Sequence, residues 1–458
     1  MRVALYTLGC KLNQAETESL ANSFSHAGFQ LVTLNDGADI YIVNTCTVTH
    51  IADRKSRHWL RLARRKNPQA LIIATGCYAQ RSPQELASLV DLVVDNKEKE
   101  HLPEVVWGLQ LPTRPSMPAM TNANAGRSPL HHCQPRLHRS ESIYPIADNI
   151  RTRSLIKIQD GCHSPCTYCI VPKVRPREYS LPASQIIDEV KQKVVLGYKE
   201  VVLTGTKIGG YKDAVLSDIE GSITDLRDLV QRILRDTCIE RLRLSSLQPS
   251  EISPELLDLW QDERLCRHFH LALQSGSETV LQRMRRSYSL DQYQRTVNLI
   301  KEMIPDAAIT IDIIVGFPGE SAEEFEQNYS FCQQAGFANI HVFPYSPRPE
   351  TEAARMPDQI KDKVKAERNQ RMLELSRSAR RNFCEQFLGQ TMPVLWEKEM
   401  PTLSSIPGEV GTSRGSGIYS GLTSNYIRVF AHSKKSLNND ITPVRLVKFH
   451  NQEIWGER

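Results

Sequence analysis

The strongest constraint on how this 458-residue chain can fold is the alternation of short apolar segments with amphipathic stretches. Three apolar segments come early, "RVALYTLGC", "ADIYIVNTC" and "ALIIATGC". Six more fall between residues 149 and 355: "RSLIKIQDGC", "EVVLTGTKIGG", "RLRLSSLQPS", "HFHLALQSGS", "ITIDIIVGFPGE" and "NIHVFPYSPR". Runs of this kind read as buried parallel strands, and the pieces between them, such as "QAETESLANSFSHAG" and "LDQYQRTVNLIKEMI", carry helical spacing. A parallel strand reaches its neighbour only through a long crossover, usually a helix, so the alternation dictates an α/β chain. The early units predict a doubly wound α/β domain, and the six later units predict a (βα)6 partial TIM barrel. Near the C-terminus, "QTMPVLWEKE", "GIYSGLTSNYIRVFA" and "TPVRLVKFH" alternate like short antiparallel strands, which predicts a small β-barrel. The chain is too long for one ordinary core, and the expected division is 1–100, a linker over 101–148, a core domain over 149–385 and an end domain over 386–458.

Composition narrows the setting. The 40% hydrophobic and 24% charged fractions suit a water-soluble globular protein, and no run approaches the 18 apolar residues of a membrane span. The N-terminal apolar run is too short for a secretory signal, so a cytoplasmic location with reduced thiols and no membrane partner is expected. Clustered cysteines there point to metal or catalysis rather than to disulfides. The formal charge of +5 permits a nucleic-acid partner without demanding one. In the expected linker, rich in Pro, Ser, Asn and His, "HHC" and His138 offer metal-binding side chains, but a solvated stretch is the commoner fate of such a sequence, and Cys133 has no assignment.

Each early strand runs into a cysteine: Cys10, Cys46 and Cys77. Ligands in doubly wound sheets gather at the carboxyl ends of the strands, so these three thiols are expected to meet. The first barrel strand likewise runs into Cys162, Cys166 and Cys169, spaced C-x3-C-x2-C. A structural zinc site closes with four ligands, and haem attachment wants C-x-x-C followed by His, whereas Ile170 follows Cys169. Three thiolates on a four-iron cluster leave one iron open to bind substrate or cofactor. Half of a zinc site completed from elsewhere, or reduced structural cysteines, are the alternatives. In a barrel the strand-end loops "TGT", "SS", "QSGS", "GFPGE" and "PYS" would ring one cavity with the cysteines.

"DGCHSPCTYC" resembles the radical S-adenosylmethionine signature, and "LTGT", "LALQSGS" and "GFPGE" resemble the cofactor-binding strand ends of that superfamily. Over nearly the whole chain the sequence is similar to the methylthiotransferases, which have a three-cysteine N-terminal domain, a central radical barrel and a C-terminal TRAM domain; "GLTSNYIRV" is similar to the last. The resemblance implies two [4Fe-4S] clusters. The one on Cys162, Cys166 and Cys169 would bind S-adenosylmethionine and cleave it to a 5′-deoxyadenosyl radical. The one on Cys10, Cys46 and Cys77 would carry the sulfur to be inserted, methylated by a second S-adenosylmethionine. By the same resemblance Thr204, Gly205 and Thr206 contact the cofactor's amino group, Gln274, Ser275 and Gly276 close the fourth strand, and Gly316, Phe317, Pro318 and Gly319 pack the adenine.

Subfamilies differ in target, and the letters around the first cysteine separate them. "TLGCKLNQAETE", with "NTCTVTHIADRKSR" and "TGCYAQRSPQEL", is similar to the threonylcarbamoyladenosine group rather than to the isopentenyladenosine group (GCQMN-like) or the ribosomal-protein group (GCPKN-like). The implied substrate is therefore the N6-threonylcarbamoyladenosine beside the anticodon of tRNA, thiomethylated at C2, with an electron donor and a sulfur source as further partners. A reading of another class is a non-catalytic metal protein that binds RNA. Arg54, Lys55, Arg57, Arg61, Arg64, Arg65 and Lys66 offer a phosphate-contacting helix, and Tyr419, Tyr426, Arg428 and Phe430 offer a base-stacking surface on the end barrel. Two departures from the family pattern fall in active-face loops: Pro176 replaces a glycine after Arg175, and Lys212 follows Tyr211 where a glycine is more usual.

Overall fold

The computed structural model describes residues 1–109, 152–213, 224–400, 417–450 and 453–458. Cys133, His138 and most of the expected linker lie outside the described residues. Two compact units form, one from residues 1–109 together with Lys173–Arg175, the other from the remainder.

The first unit is a five-stranded, wholly parallel sheet. Its strands are β1 (Arg2–Thr7), β2 (Gln30–Leu31), β3 (Ile40–Thr45), β4 (Leu71–Gly76) and β5 (Leu92–Val93), in spatial order β2-β1-β3-β4-β5. Side chains on β3 alternate between two cores, as the pleat requires. Tyr41 and Val43 pack with Leu60 and Ala63 of helix α2 (His50–Lys66). Ile40 and Ile42 pack with Leu20 and Phe24 of α1 (Lys11–His26) on the other face. Helices thus cover both faces, which is the doubly wound arrangement. A short helix, α3 (Cys77–Arg81), follows β4 directly. At the head of the expected linker, α4 (Leu102–Gly108) is helical and adds Leu102, Val106 and Trp107 to the α1 face.

The second unit contains all six expected barrel strands, β6 (Arg153–Asp160), β7 (Glu200–Gly205), β8 (Arg241–Leu244), β9 (His268–Gln274), β10 (Ala308–Val315) and β11 (Asn339–Pro344). They form two runs, β6-β7-β8 and β9-β10-β11, joined at a seam where Leu242 bridges Leu265. Ile156 and Ile158, Val201 and Leu203, Leu271 and Leu273, and Ile309 and Ile311 share one core with the flanking helices. That core also takes Ile186 and Val190 of α5 (Ala183–Val195), Leu229 and Ile233 of α6 (Leu226–Asp236), Val297 and Ile300 of α7 (Leu290–Met303), and Phe325 and Cys332 of α8 (Ala322–Ala335). Reciprocal capping boxes start three of these helices at Asp225, Ser289 and Ser321, so each crossover has a defined first turn.

Helix α9 (Asp362–Glu385) leads to five strands, β12 (Thr391–Met400), β13 (Gly417–Thr423), β14 (Arg428–Ser433), β15 (Ile441–His450) and β16 (Glu453–Glu457), which close as a barrel in the order β12-β13-β14-β16-β15. This small barrel sits against the N-terminal ends of the six core strands. Fully buried Glu200, first residue of β7, accepts from Arg243 at 2.8 and 3.3 Å and faces Arg241 at 3.8 Å and Arg153 at 3.9 Å. Arg243 donates onward to Ser424 O at 3.0 Å, and Arg241 donates to Leu422 O at 2.8 Å and Pro393 O at 2.6 Å. Tyr426 stacks on His268 at 4.3 Å, with the Arg243 guanidinium 4.9 Å from the same ring. Among the described residues no helix is long and apolar enough to cross a membrane.

Candidate functional site

In the first unit the three cysteines occupy equivalent strand ends. Cys10 is the N-cap of α1, Cys46 follows β3 and leads to α2, and Cys77 opens α3. Helix N-termini present partial positive charge, which suits anionic sulfur. The loops are drawn together by Asn13, which donates to Leu8 O at 2.8 Å and Thr45 O at 3.1 Å, and by Asn44, which donates back to Asn13 O at 2.9 Å. Gly9 lies at φ +103°, and a Cβ there would fall 2.8 Å from the Cys46 sulfur, so only glycine lets the Cys10 loop come this close. Burial pushes the Cys46 thiol up to about 12, with Cys77 and Cys10 adding to the rise. The sulfurs therefore sense one another, and cationic iron would relieve the cost of ionising them.

One residue of this unit comes from far along the chain. Arg175 places Nε 3.4 Å from the Cys77 sulfur, with Nη1 and Nη2 on the Glu16 carboxylate at 2.8 and 2.9 Å. Lys99 meets the same carboxylate at 2.6 Å.

In the second unit Cys162, Cys166 and Cys169 line an open cavity of about 620 Å³ with Tyr168, Thr206, Lys207, Gln248, Glu251 and Arg286. The turn into it is fixed by Gln159, whose amide donates to Gly161 O at 2.8 Å and whose oxygen accepts from the Lys207 backbone at 2.7 Å. The Cys162 sulfur accepts from the Ser164 backbone at 3.4 Å, and the Cys166 sulfur from Arg286 at 3.2 Å. Burial pushes the Cys169 thiol up to about 12, its neighbours Cys166 and Cys162 adding to the rise. Burial also raises the carboxyl of Glu251, whose Oε1 is buried without a hydrogen-bond partner, so an amino group entering the cavity would find a ready acceptor.

This donor set fits a cluster that leaves one metal corner open for a small cationic ligand. Among the described residues no three His, Cys, Asp or Glu groups converge on a single point. A cubane needs no such convergence, because each thiolate binds a different iron.

The expected cofactor residues divide. Thr206 lines the cysteine cavity, and its hydroxyl lies 3.4 Å from Asp160; Thr204 is buried beneath it and Gly205 packs on Gln159. Gln274, Ser275 and Gly276 stand at the end of β9 and Gly316–Gly319 follow β10, as expected, but none of the seven lines the cysteine cavity. Gln274 takes φ +74°. Gly276 is pressed against Asn328 and Phe331, and fully buried Phe317 packs with Met284 and Tyr345. Arg286, Gln248, Glu251 and Arg175 had no local signature to mark them.

The base-stacking surface requires correction. Tyr426 is engaged by His268 and two arginines at the barrel floor, and buried Tyr419 bonds Glu399, so neither ring is presented for a base; Arg428 pairs with Glu397 and Phe430 packs on Trp455. On α2, Arg57 bonds Tyr78 and Arg64 pairs with Asp91, while Arg54, Lys55, Arg61, Arg65 and Lys66 are exposed.

Comparison with known proteins agrees with this geometry. Residues 2–95 match an uncharacterized protein family, UPF0004, and residues 156–332 match the radical SAM superfamily. The threonylcarbamoyladenosine tRNA methylthiotransferase MtaB of Bacillus subtilis is 34% identical, over 97% of this chain and 94% of its own length. The protein of the same name from Aquifex aeolicus is 37% identical, over 86% and 92%. Among solved structures, the radical S-adenosylmethionine methyltransferase TsrM from Kitasatospora setae shares the fold, with a TM-score of 0.53 at 16% identity over 77% of this chain and 74% of that one. The chain belongs to the radical S-adenosylmethionine methylthiotransferase family, in its threonylcarbamoyladenosine tRNA branch.

Proposed function

We propose that this protein is the tRNA-modifying enzyme that adds a methylthio group to C2 of N6-threonylcarbamoyladenosine beside the anticodon. The observation that carries the reading is the pair of cysteine triads, Cys10, Cys46 and Cys77 at the strand ends of one unit and Cys162, Cys166 and Cys169 around the cavity of the other. A [4Fe-4S] cluster held by Cys162, Cys166 and Cys169 would supply the electron for reductive cleavage of one S-adenosylmethionine, and one held by Cys10, Cys46 and Cys77 would supply the sulfur, methylated by a second, that takes the place of the C2 hydrogen. An ordinary side chain cannot activate that bond.

The chain's own residues bind and orient. Glu251 offers an unpaired carboxylate oxygen to the cofactor's amino group, and Thr206 and Gln248 line the same wall. Arg286 holds positive charge against the Cys166 sulfur, and Tyr288 fixes the guanidinium with its hydroxyl at 3.0 Å. By the family resemblance, Thr204 and Gly205 at the end of β7, Gln274, Ser275 and Gly276 after β9, and Gly316–Gly319 after β10 complete the cofactor-binding face. We assign 1–100, together with α4 at the head of the expected linker over 101–148, to the sulfur-bearing domain, 149–385 to the radical core and 386–458 to a TRAM-type barrel. The exposed cations of α2 serve the tRNA phosphates. An electron donor and a sulfur source complete the cycle, which runs in the cytoplasm. At the two departures from the family pattern, Pro176 O meets the His163 ring at 2.6 Å and the Lys212 backbone donates to Ser180 at 3.0 Å.

Nucleoside mass spectrometry of tRNA from a strain lacking the gene tests the assignment. The methylthio form of threonylcarbamoyladenosine should disappear and its unthiolated precursor accumulate; persistence of the methylthio nucleoside overturns it.

A further inference from the structure

The N-terminal triad is accompanied by a buried ionic group that cluster binding alone does not require. Arg175 is 5% exposed, Glu16 7%, Lys99 2% and Asn13 0%. The Arg175 fork is fully used: Nε on the Cys77 sulfur at 3.4 Å, Nη1 on Glu16 at 2.8 Å, and Nη2 on Glu16 at 2.9 Å and Asn13 Oδ1 at 3.0 Å. Lys99 lies 2.6 Å from Glu16 and 3.4 Å from Asn44 Oδ1. Arg175 and Lys99 thus bring positive charge close to three sulfurs that must ionise to bind iron. Burying charge is expensive, and such a group holds together only while each member keeps its partners.

We infer that Arg175 is a positioning residue of the N-terminal triad: anchored by Glu16 and Asn13, it donates to the Cys77 sulfur and thereby sets the reduction potential of the cluster that Cys10, Cys46 and Cys77 hold. A hydrogen bond to a ligand sulfur and a nearby positive charge both stabilise the more negative, reduced form, so both raise the potential. Lysine would reproduce the effect only in part, because it keeps the charge but cannot hold a carboxylate, an amide oxygen and a sulfur together. Arg175 stands six residues after Cys169, so the turn that carries the radical triad also supplies the residue that conditions the sulfur-bearing one. The inference rests on the proposed cluster at the N-terminal triad.

The test is an EPR-monitored redox titration of full-length protein carrying Cys162→Ala, Cys166→Ala and Cys169→Ala, so that only the N-terminal triad loads. That background should hold about four irons; if it holds none, the cluster assignment itself falls. Adding Arg175→Gln should shift the midpoint potential to a more negative value with about four irons retained, and Arg175→Lys should shift it less. An unchanged potential in iron-loaded R175Q overturns the inference. If R175Q takes up no iron, R175K decides in the same way. Loss of iron from both, with circular dichroism unchanged, also overturns it, because Arg175 would then serve assembly rather than potential.

Discussion

Glu200 is the acid shared by three arginines at the barrel floor, and its removal should be the costliest single charge change in the second unit. Glu200 and Arg243 are both fully buried, paired at 2.8 and 3.3 Å, with Arg241 and Arg153 at 3.8 and 3.9 Å. Glu200→Gln leaves a buried guanidinium without its counter-charge, a loss of about 3–5 kcal/mol. Arg243→Met should cost less, about 2–3 kcal/mol, because Arg241 and Arg153 still face the carboxylate. The double variant should cost less than the sum of the two. Equilibrium urea unfolding with buried Trp396 as reporter, alongside circular dichroism, measures all three. The pH dependence has a fixed sign. Burial pushes the Glu200 carboxyl up, but the arginines, Arg243 foremost, more than reverse this and leave it below its ordinary value. Its contribution is therefore present above the unfolded glutamate pKa and fades as pH falls through the lower native value. Equal losses for E200Q and R243M, or losses below about 1 kcal/mol for both, would refute the reasoning.

Cys10→Ala should lower the iron content of reconstituted protein from about eight to about four while reductive formation of 5′-deoxyadenosine continues, as read by iron analysis and chromatography. Gly161 lies at φ +77° and an added Cβ would fall 2.0 Å from Arg177 O, so Gly161→Ala should cost about 3 kcal/mol or more and empty the second triad of iron. Arg286→Met removes the donor to Cys166 and should lower the potential of the radical cluster with four irons still bound there, as followed by EPR. The Glu324 carboxyl is held at about 2, chiefly by its bonds to Arg283, so its stabilising effect is present above the ordinary glutamate range and lost as pH falls towards 2. The thermal midpoints of wild type and Glu324→Gln should therefore converge on acidification.

Local pattern carried most of the architecture. Strand-forming runs, the cysteines that end them and the helical spacing between them are short-range signals, and each became the element it announced. The seam at Leu242–Leu265 had no such signal, because the runs on either side of it are equally apolar. Arg175 and Arg286 reach their sulfurs across 98 and 120 residues, so nothing near either residue marks it. Tyr426 was misread for a related reason. An aromatic next to a basic strand looks alike whether it faces solvent or caps another domain, and only the fold supplied His268 and Arg243 as its partners.

The small barrel is fastened to the floor of the core, at the strand ends remote from the cysteine cavity. Helix α9 runs the whole way between the two levels: Lys365 and Arg368 pack beside Gly316 and Glu320 on the cavity side, and Arg380 pairs with Glu453 of the small barrel. Its 24 residues make a strut of about 36 Å. The strand ends that hold the small barrel and the strand ends that carry the cysteines are therefore separated by roughly the length of an eight-residue strand, about 26 Å. A substitution in the Glu200 group therefore perturbs one end of the core while the cysteine cavity lies at the other.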